Sequence, residues 1–460
     1  MKKILALLLA AMMLMGCCSV FAEGEVPEGY PAIIEGLDFG GADVYIYDWW
    51  SDDTRVNDPS EDQQLQYDYQ DWIMKTYNVK VHVTALSDWA GNPTELANMV
   101  VNKDNSKLCI LGISSGFAGG PLANNLYMPW TYGLDLGVFN EATVDFMTKD
   151  GVCYGVTMGP KVEPRQGVFF NKAVLEKANI NWEELYDLQA ANEWTWDKFE
   201  EYMDKVVVGS DTNNDGEPDI WALTGNGDDV TISLVVSNEA DFFGFNEEGK
   251  LVPTIDTDAM KEALARRQAW GEKYMRPNEA WDDYQRFWPE GNVAFFIGQS
   301  YEGFNGNSTI NQCADDWGFV ALPMGPRSNR YTSCADNNVY GIPAVYDEET
   351  SLKLQQLFTL WAMPVPGTDE DSWATNFYAL TDDRAIEETY AMLREGEHAT
   401  IMKYNLIGDR NSSITEITWH LGDGSPSEII EAALPAFQGR CDIFNGDAPA
   451  EAPAEEGAGE

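Results

Sequence analysis

Histidine is almost absent from this chain of 460 residues. It occurs only as His82, His398 and His420, with no HExxH pair, so a zinc hydrolase would have hardly any nitrogen ligands to draw on. Basic residues are scarce too: 29 Lys and Arg face 76 Asp and Glu, a formal charge of −47. Phosphate recognition needs clustered cations, so this balance argues against nucleic acid as a partner and gives a well-solvated acidic surface. Neither a Walker loop nor a dinucleotide fingerprint occurs, which leaves no sign of nucleotide chemistry or of an organic cofactor. Beyond Cys17 and Cys18 the cysteines are Cys109, Cys153, Cys313, Cys334 and Cys441, with no CxxC pair and no metal spacing. That excludes a disulfide framework. Cys313 and Cys334 flank a short strand-turn segment where either one bridge or two buried thiols would fit.

Long apolar runs are missing as well, except near the start. MKKILALLLAAMMLMGCCSVFA sets Lys2 and Lys3 before an apolar stretch from Ile4 to Met15, too short to span a bilayer and shaped like a secretion signal over residues 1–22. Two processing readings compete. Leu14-Met15-Gly16-Cys17 resembles a lipoprotein box with Cys17 as lipid acceptor, the preferred reading, whereas Val20-Phe21-Ala22 fits cleavage after Ala22. Either one places the mature protein outside the cytoplasm, attached to the membrane by a lipid anchor or not at all. Residues 23–37 read as a Gly- and Pro-containing tether, and residues 445–460 as a disordered acidic tail with almost nothing to bury.

What the chain does have is 44 % apolar residues, enough for real cores, in alternating strand and helix patterns. ADVYIYDWW reads as a strand, LQYDYQDWIMKTY has helical apolar spacing, VKVHVTAL alternates, and KLCILGIS is a buried strand. Such β-α-β order predicts an α/β fold with a largely parallel sheet. In a second block GVCYGVTM and GVFFN read as strands. WTWDKFEEYMDKVVV reads as an amphipathic helix with Trp196, Phe199, Met203 and Val206 on one face and Thr195 as its cap.

Three constellations invite chemical readings. DTNNDGEPDIW places Asp211, Asn213, Asp215, Glu217 (through its carbonyl) and Asp219 at EF-hand-like positions, with a Gly at the bend. Position 12 is Ala222, so the bidentate Glu is lacking and no sister loop exists; the expectation is one structural calcium ion, with a metal-free Asx-rich turn as the alternative. Gly112-Ile113-Ser114-Ser115-Gly116 is a formal GxSxG after a strand, yet Phe117-Ala118-Gly119-Gly120-Pro121 cannot continue as the helix that a nucleophile elbow needs. Ser114 and Ser115 then read as hydroxyls at a strand end facing a ligand. The third constellation is aromatic: 16 Trp, 20 Tyr and 20 Phe, many at predicted strand ends. Asp48, Trp49, Trp50, Trp89, Trp221, Trp281, Trp288, Gln299, Ser300 and Tyr301 fall there, where open α/β sheets bind ligands. Indole faces stack on the C–H surfaces of sugar rings while neighbouring acids and amides take the hydroxyls; core packing is the plain alternative for any single Trp.

GVCYGVTMGPKVEPRQGVFFNKAVLEKANI, WTWDKFEEYMDKV, PEGNVAFFIGQSYEGF, WGFVALPMGP and YGIPAVYDEETSLKLQQLFTLW, in this order and spacing over roughly Val44 to Trp361, resemble the family 1 extracellular solute-binding proteins of bacterial ABC importers. The resemblance implies a two-lobed, type II periplasmic-binding-protein-like α/β fold with hinge crossovers. It implies residues 38–155 and 298–339 in one lobe and 160–297 and 345–444 in the other, with hinges near 156–159, 295–298 and 340–344. It further implies a non-catalytic monomer that closes on a carbohydrate, here taken to be an oligosaccharide, and presents it to permease subunits. The loop after the AFFIG-like strand carries over to Gln299, Ser300 and Tyr301, and the segment after the YGV-like strand to Arg165; Asp336 and Asn337 join the expected ligand contacts. Asn78 departs from the usual Gly before the second strand, a position of positive φ that Asn tolerates. Two rivals stay open: a secreted hydrolase acting through Ser114 or paired carboxylates, and a surface sugar sensor or adhesin.

Overall fold

Val44 and Ile46 are buried while Asp43 is exposed, so Ala42–Asp48 forms strand β1 as its alternation predicts. The computed structural model describes residues 26–161, 163–207, 218–277, 280, 282–304, 308–335, 338–368, 382–407 and 410–447. The main sheets use β1, β2 (Val79–Ala85), β3 (Leu108–Ser114), β4 (Gln166–Asn171), β5 (Trp221–Thr224), β6 (Val293–Gln299), β7 (Trp317–Val320) and β8 (Asn338–Gly341). The first sheet runs β8-β3-β1-β2 and is parallel except for β8. The second runs β7-β4-β6-β5, with β4 antiparallel to both neighbours and β5 parallel to β6.

Along the chain, helix α1 (Glu61–Thr76) starts at a Ser60–Gln63 capping box and buries Tyr69, Trp72 and Ile73 against Val44 and Ile46. Tyr47 points to the other face, where Leu96 of α2 (Asn92–Asn102) meets it. Asn78, just before β2, has φ +48°, as its place in the sequence requires. The short helix α3 (Gly119–Ala123) follows β3. In the second lobe the Thr195 hydroxyl accepts the Lys198 N–H (3.3 Å) at the start of α4 (Trp196–Val207), whose Phe199 packs edge-on against Phe295 of β6. Helices α5 (Gly227–Ser237) and α6 (Asp258–Lys273) complete that layer. Helix α7 (Glu348–Ala362) returns to the first lobe, where the Tyr69 hydroxyl donates to the Leu360 carbonyl (2.9 Å). The last helices, α8 (Arg410–Thr418) and α9 (Pro426–Phe444), belong to the second lobe, with Phe437 stacked on Phe243. No helix among the described residues is long and apolar enough to cross a membrane.

Two antiparallel segments join the lobes. Val156 and Tyr340 exchange both backbone hydrogen bonds (3.0 and 2.8 Å), and the Arg165 N–H donates to the Cys334 carbonyl (2.7 Å) beside the Pro164–Ala335 bridge. A third crossing lies between Thr368 and Asp382; the Asp382 carboxylate, buried in the second lobe, takes the Lys172 ammonium (3.0 Å) and the Tyr186 hydroxyl (2.9 Å).

Several boundaries therefore differ from the sequence reading. Residues 298–320 do not return to the first lobe, because β7 pairs with β4, and 295–298 is the buried middle of β6 rather than a hinge. The segment 348–362 sits in the first lobe, not the second. The stretch 26–37 is no free tether: Tyr30 packs edge-on against Tyr69 and Trp72, and Leu37 is buried. Cys313 and Cys334 are free thiols, as are Cys109, Cys153 and Cys441.

The lobes also touch away from the hinge. Ala118 and Leu122 share one apolar cluster with Leu406, which sits in the 3-10 turn Lys403–Ile407 of the second lobe. Gly119 lies so close that a Cβ there would overlap the Leu406 carbonyl. Beside this contact a gap of about 220 Å³ separates Phe146 and Lys149 of one lobe from Phe245 and Phe444 of the other.

Candidate functional site

On the first lobe the site begins at the carboxyl end of β1. Asp48 is buried, and its oxygens are spent on its own turn: Oδ1 accepts the N–H groups of Trp50 (3.0 Å) and Ser51 (2.8 Å), and Oδ2 accepts the Ser51 hydroxyl (2.6 Å). Asp48 thus positions the turn rather than offering an acceptor to a ligand. Buried Asn92 ties that turn to the neighbouring strand, donating to the carbonyls of Asp48 and Gly112 (3.0 Å each). What the turn presents is an indole pair: Trp49 and Trp50 meet edge to face at 4.6 Å and 85°, and Trp50 is 53 % exposed. After β2, Trp89 is 51 % exposed and leans on Phe117 at 4.6 Å. Sequence reasoning treated Phe117 only as a helix breaker; its place after the third strand end was the available signal.

Ser114 and Ser115 are buried, so they do not supply exposed hydroxyls. The esterase reading fails on the partners as well. His82 is held by Asp43 and Asp53, His398 by the Tyr331 carbonyl and His420 by Asp423, so none is available as a base at Ser114.

On the second lobe the carboxyl end of β6 carries Gln299, Ser300 and Tyr301. The Gln299 side-chain amide donates to both oxygens of Asp229 (3.2 and 3.3 Å), and Gln166, opposite it on β4, reaches Asp229 Oδ1 at 3.5 Å. Asp229 is held in the first turn of α5 by the Asn226 cap. Ser300 is buried and fastens the strand end to the hinge: its hydroxyl donates to the Pro164 carbonyl (2.8 Å) and its N–H to the Arg165 carbonyl (2.6 Å). The Arg165 guanidinium lies 5.9 Å from the Tyr301 ring centre. That ring is 49 % exposed although burial is the leading cause raising its hydroxyl pKa; a half-exposed group in dense surroundings is one on a cleft wall.

Gln166, Asn226, Asp229 and Glu302 were not foreseen. Glu302 is buried and accepts the Gln299 N–H (2.9 Å); burial pushes its carboxyl up to about 8, the Gln299 N–H opposes this, and the Asp229 charge adds to it. A carboxyl raised in the folded state binds a proton there that the unfolded chain has lost, so this group lowers stability as pH rises from about 4.5 to about 8. Glu302→Gln keeps the acceptor for Gln299 and should flatten that decline, melting above the wild type at pH 8 and with little difference at pH 5. Parallel melting curves for the two proteins across this range would contradict the assignment.

The remaining expected contacts fall elsewhere. Trp221 begins β5 opposite Val293, at the far end of the sheet from Gln299, and Trp288 is core, donating from Nε1 to the Ile310 carbonyl (3.2 Å) and packing on Phe296. Trp281, Asp336 and Asn337 lie outside the described residues, as do Cys17 and the loop residues Asp211, Asn213, Asp215 and Glu217; Asp219 is half-buried. Paired-acid hydrolysis also lacks its geometry. Asp229 and Glu302 both grip Gln299, one by its side chain and one by its backbone, so they stand on the same side of a ligand rather than flanking a bond. The arrangement offers aromatic faces on one lobe and amides with an acid on the other, bordering one hinge.

No family model matches the sequence, and no curated protein matches it. Solved structures do. The cyclic α-maltosyl-1,6-maltose binding protein of Arthrobacter globiformis superposes with a TM-score of 0.60 at 14 % identity, covering 88 % of this chain and 100 % of its own. A cyclo/maltodextrin-binding protein complexed with maltotetraose gives 0.59 at 11 % identity, covering 88 % and 97 %. An ABC substrate-binding protein of Listeria monocytogenes in complex with cycloalternan gives 0.55 at 14 % identity, covering 88 % and 98 %. The chain has the two-lobed α/β fold of these sugar-binding proteins of ABC transporters.

Proposed function

We propose that the chain is a non-catalytic, extracytoplasmic solute-binding protein that captures a carbohydrate, and specifically an oligosaccharide, between its lobes and hands it to an ABC permease. The observation that carries this reading is the exposed Trp49–Trp50 pair on one side of the hinge and the Gln299–Asp229–Tyr301 group on the other. Stacking faces and fixed hydrogen-bonding groups on separate bodies recognise a sugar by closing over it. The leader suggests lipid attachment at Cys17, and the loop Asp211 to Asp219 suggests a structural calcium ion, both proposed on sequence alone.

Titrating a panel of neutral oligosaccharides that includes maltotetraose and cycloalternan should quench Trp fluorescence. Saturation at about 100 times Kd adds about 2.7 kcal/mol to stability, visible as a higher Tm. No change with any glycan would sink the reading. Running the same melts with excess chelator tests the calcium ion, whose removal should lower Tm and leave sugar affinity intact.

A further inference from the structure

Arg267, on α6, is an anomaly. Its Nε is inaccessible to solvent and has no hydrogen-bond partner, and the guanidinium makes neither an ion pair nor a ring contact. Burial lowers its pKa to about 10, with only the nearby Asp228 charge opposing the shift. A guanidinium brings five donors in a fixed fork, and leaving them unmet in a desolvated place costs stability. Most buried arginines are paired for this reason.

Its surroundings give the anomaly a direction. The guanidinium lies beside Gly227, 3.7 Å from where a Cβ would stand, at the first turn of α5. This is the turn that holds Asp229 against Gln299 and Gln166. The next residue, Asp228, takes the Thr418 hydroxyl (2.5 Å), and the adjoining Trp419 is 78 % exposed. Donors, an acceptor and an indole thus meet at the edge of the candidate site. One carboxylate already offsets the one guanidinium, so the charge balance favours a neutral guest over an acidic one.

We propose that Arg267 and Asp228 form a hydroxyl-binding subsite for a neutral pyranose on the second-lobe wall of the cleft. Arg267 donates through its fork, Asp228 accepts, and a neighbouring pair of ring hydroxyls satisfies both. The inference rests on the sugar-binding reading above and extends it to one more ring position.

The test is an oligosaccharide array with neutral malto-oligosaccharides, cyclic glucans and uronate-containing oligosaccharides, probed with the wild type, Arg267→Met and Arg267→Lys, alongside melting of each unliganded protein. Wild type should bind neutral glycans, and Arg267→Met should bind the same glycans about 10- to 100-fold more weakly while melting no lower than the wild type. Unchanged affinity in Arg267→Met overturns the subsite. If Arg267→Met melts early, Arg267→Lys decides: normal melting with weakened binding upholds the fork, and recovery of both overturns it. Binding confined to uronate glycans overturns the neutral class. A wild type that binds no glycan overturns the sugar-binding reading and this inference with it.

Discussion

Trp50→Ala should weaken oligosaccharide binding by about 30- to 1,000-fold, the range of a central aromatic contact, and shift the stability of the unliganded protein by less than about 0.5 kcal/mol. The split follows from where the side chain sits. Trp50 is half exposed, touches Trp49 edge to face, and owes its position to the Asp48 turn rather than to the core. Removing it deletes a stacking face without opening a cavity. Asp48→Asn is the companion variant: it weakens the acceptors that set the turn and should lower affinity by a smaller factor through loss of placement. Isothermal titration and melting on the same preparations measure both quantities. An alanine variant that binds as tightly as the wild type would remove the indole pair from the site.

Gly119→Leu should hold the lobes apart. Any Cβ at this position overlaps the Leu406 carbonyl across the interlobe contact, and a branched side chain has nowhere to turn, because the obstacle is backbone and not the end of a flexible chain. The hinge absorbs the strain, since it is two backbone-paired segments and not a packed core. Small-angle scattering should show a larger radius of gyration for the variant. Sugar affinity should drop in proportion to the lost population of closed protein, about tenfold for each tenfold reduction. Each lobe keeps its own core, so the far-ultraviolet circular dichroism should match the wild type. A variant with wild-type dimensions and affinity would show that closure does not pass through this contact.

The elements themselves were readable because their signals are local. Alternation in VKVHVTAL, the apolar face of Trp196, Phe199, Met203 and Val206, and the Thr195 cap all act within a few residues, and all appear in the structure. Lobe membership was less readable, since it depends on which distant strand a segment pairs with. WGFVALP reads the same in either sheet, and only its pairing with β4 places it in the second lobe. The site shows the same divide. An acid at a strand end, such as Asp48, reads as a ligand contact until its hydrogen bonds to its own turn are seen. Trp288 and Trp50 are alike in sequence but opposite in burial. Gln166, Asp229 and Glu302 come from three separate segments and acquire meaning only where Gln299 gathers them.

The three crossings have a consequence for how the chain is made. The first lobe needs β8 and α7 from beyond residue 337, and the second needs Asp382 and everything through α9. A polypeptide emerging from the ribosome therefore completes neither half until nearly its whole length has been synthesised, and it stays extended while its first residues are already available to export machinery. For the same reason neither half can be excised or grafted as one uninterrupted stretch.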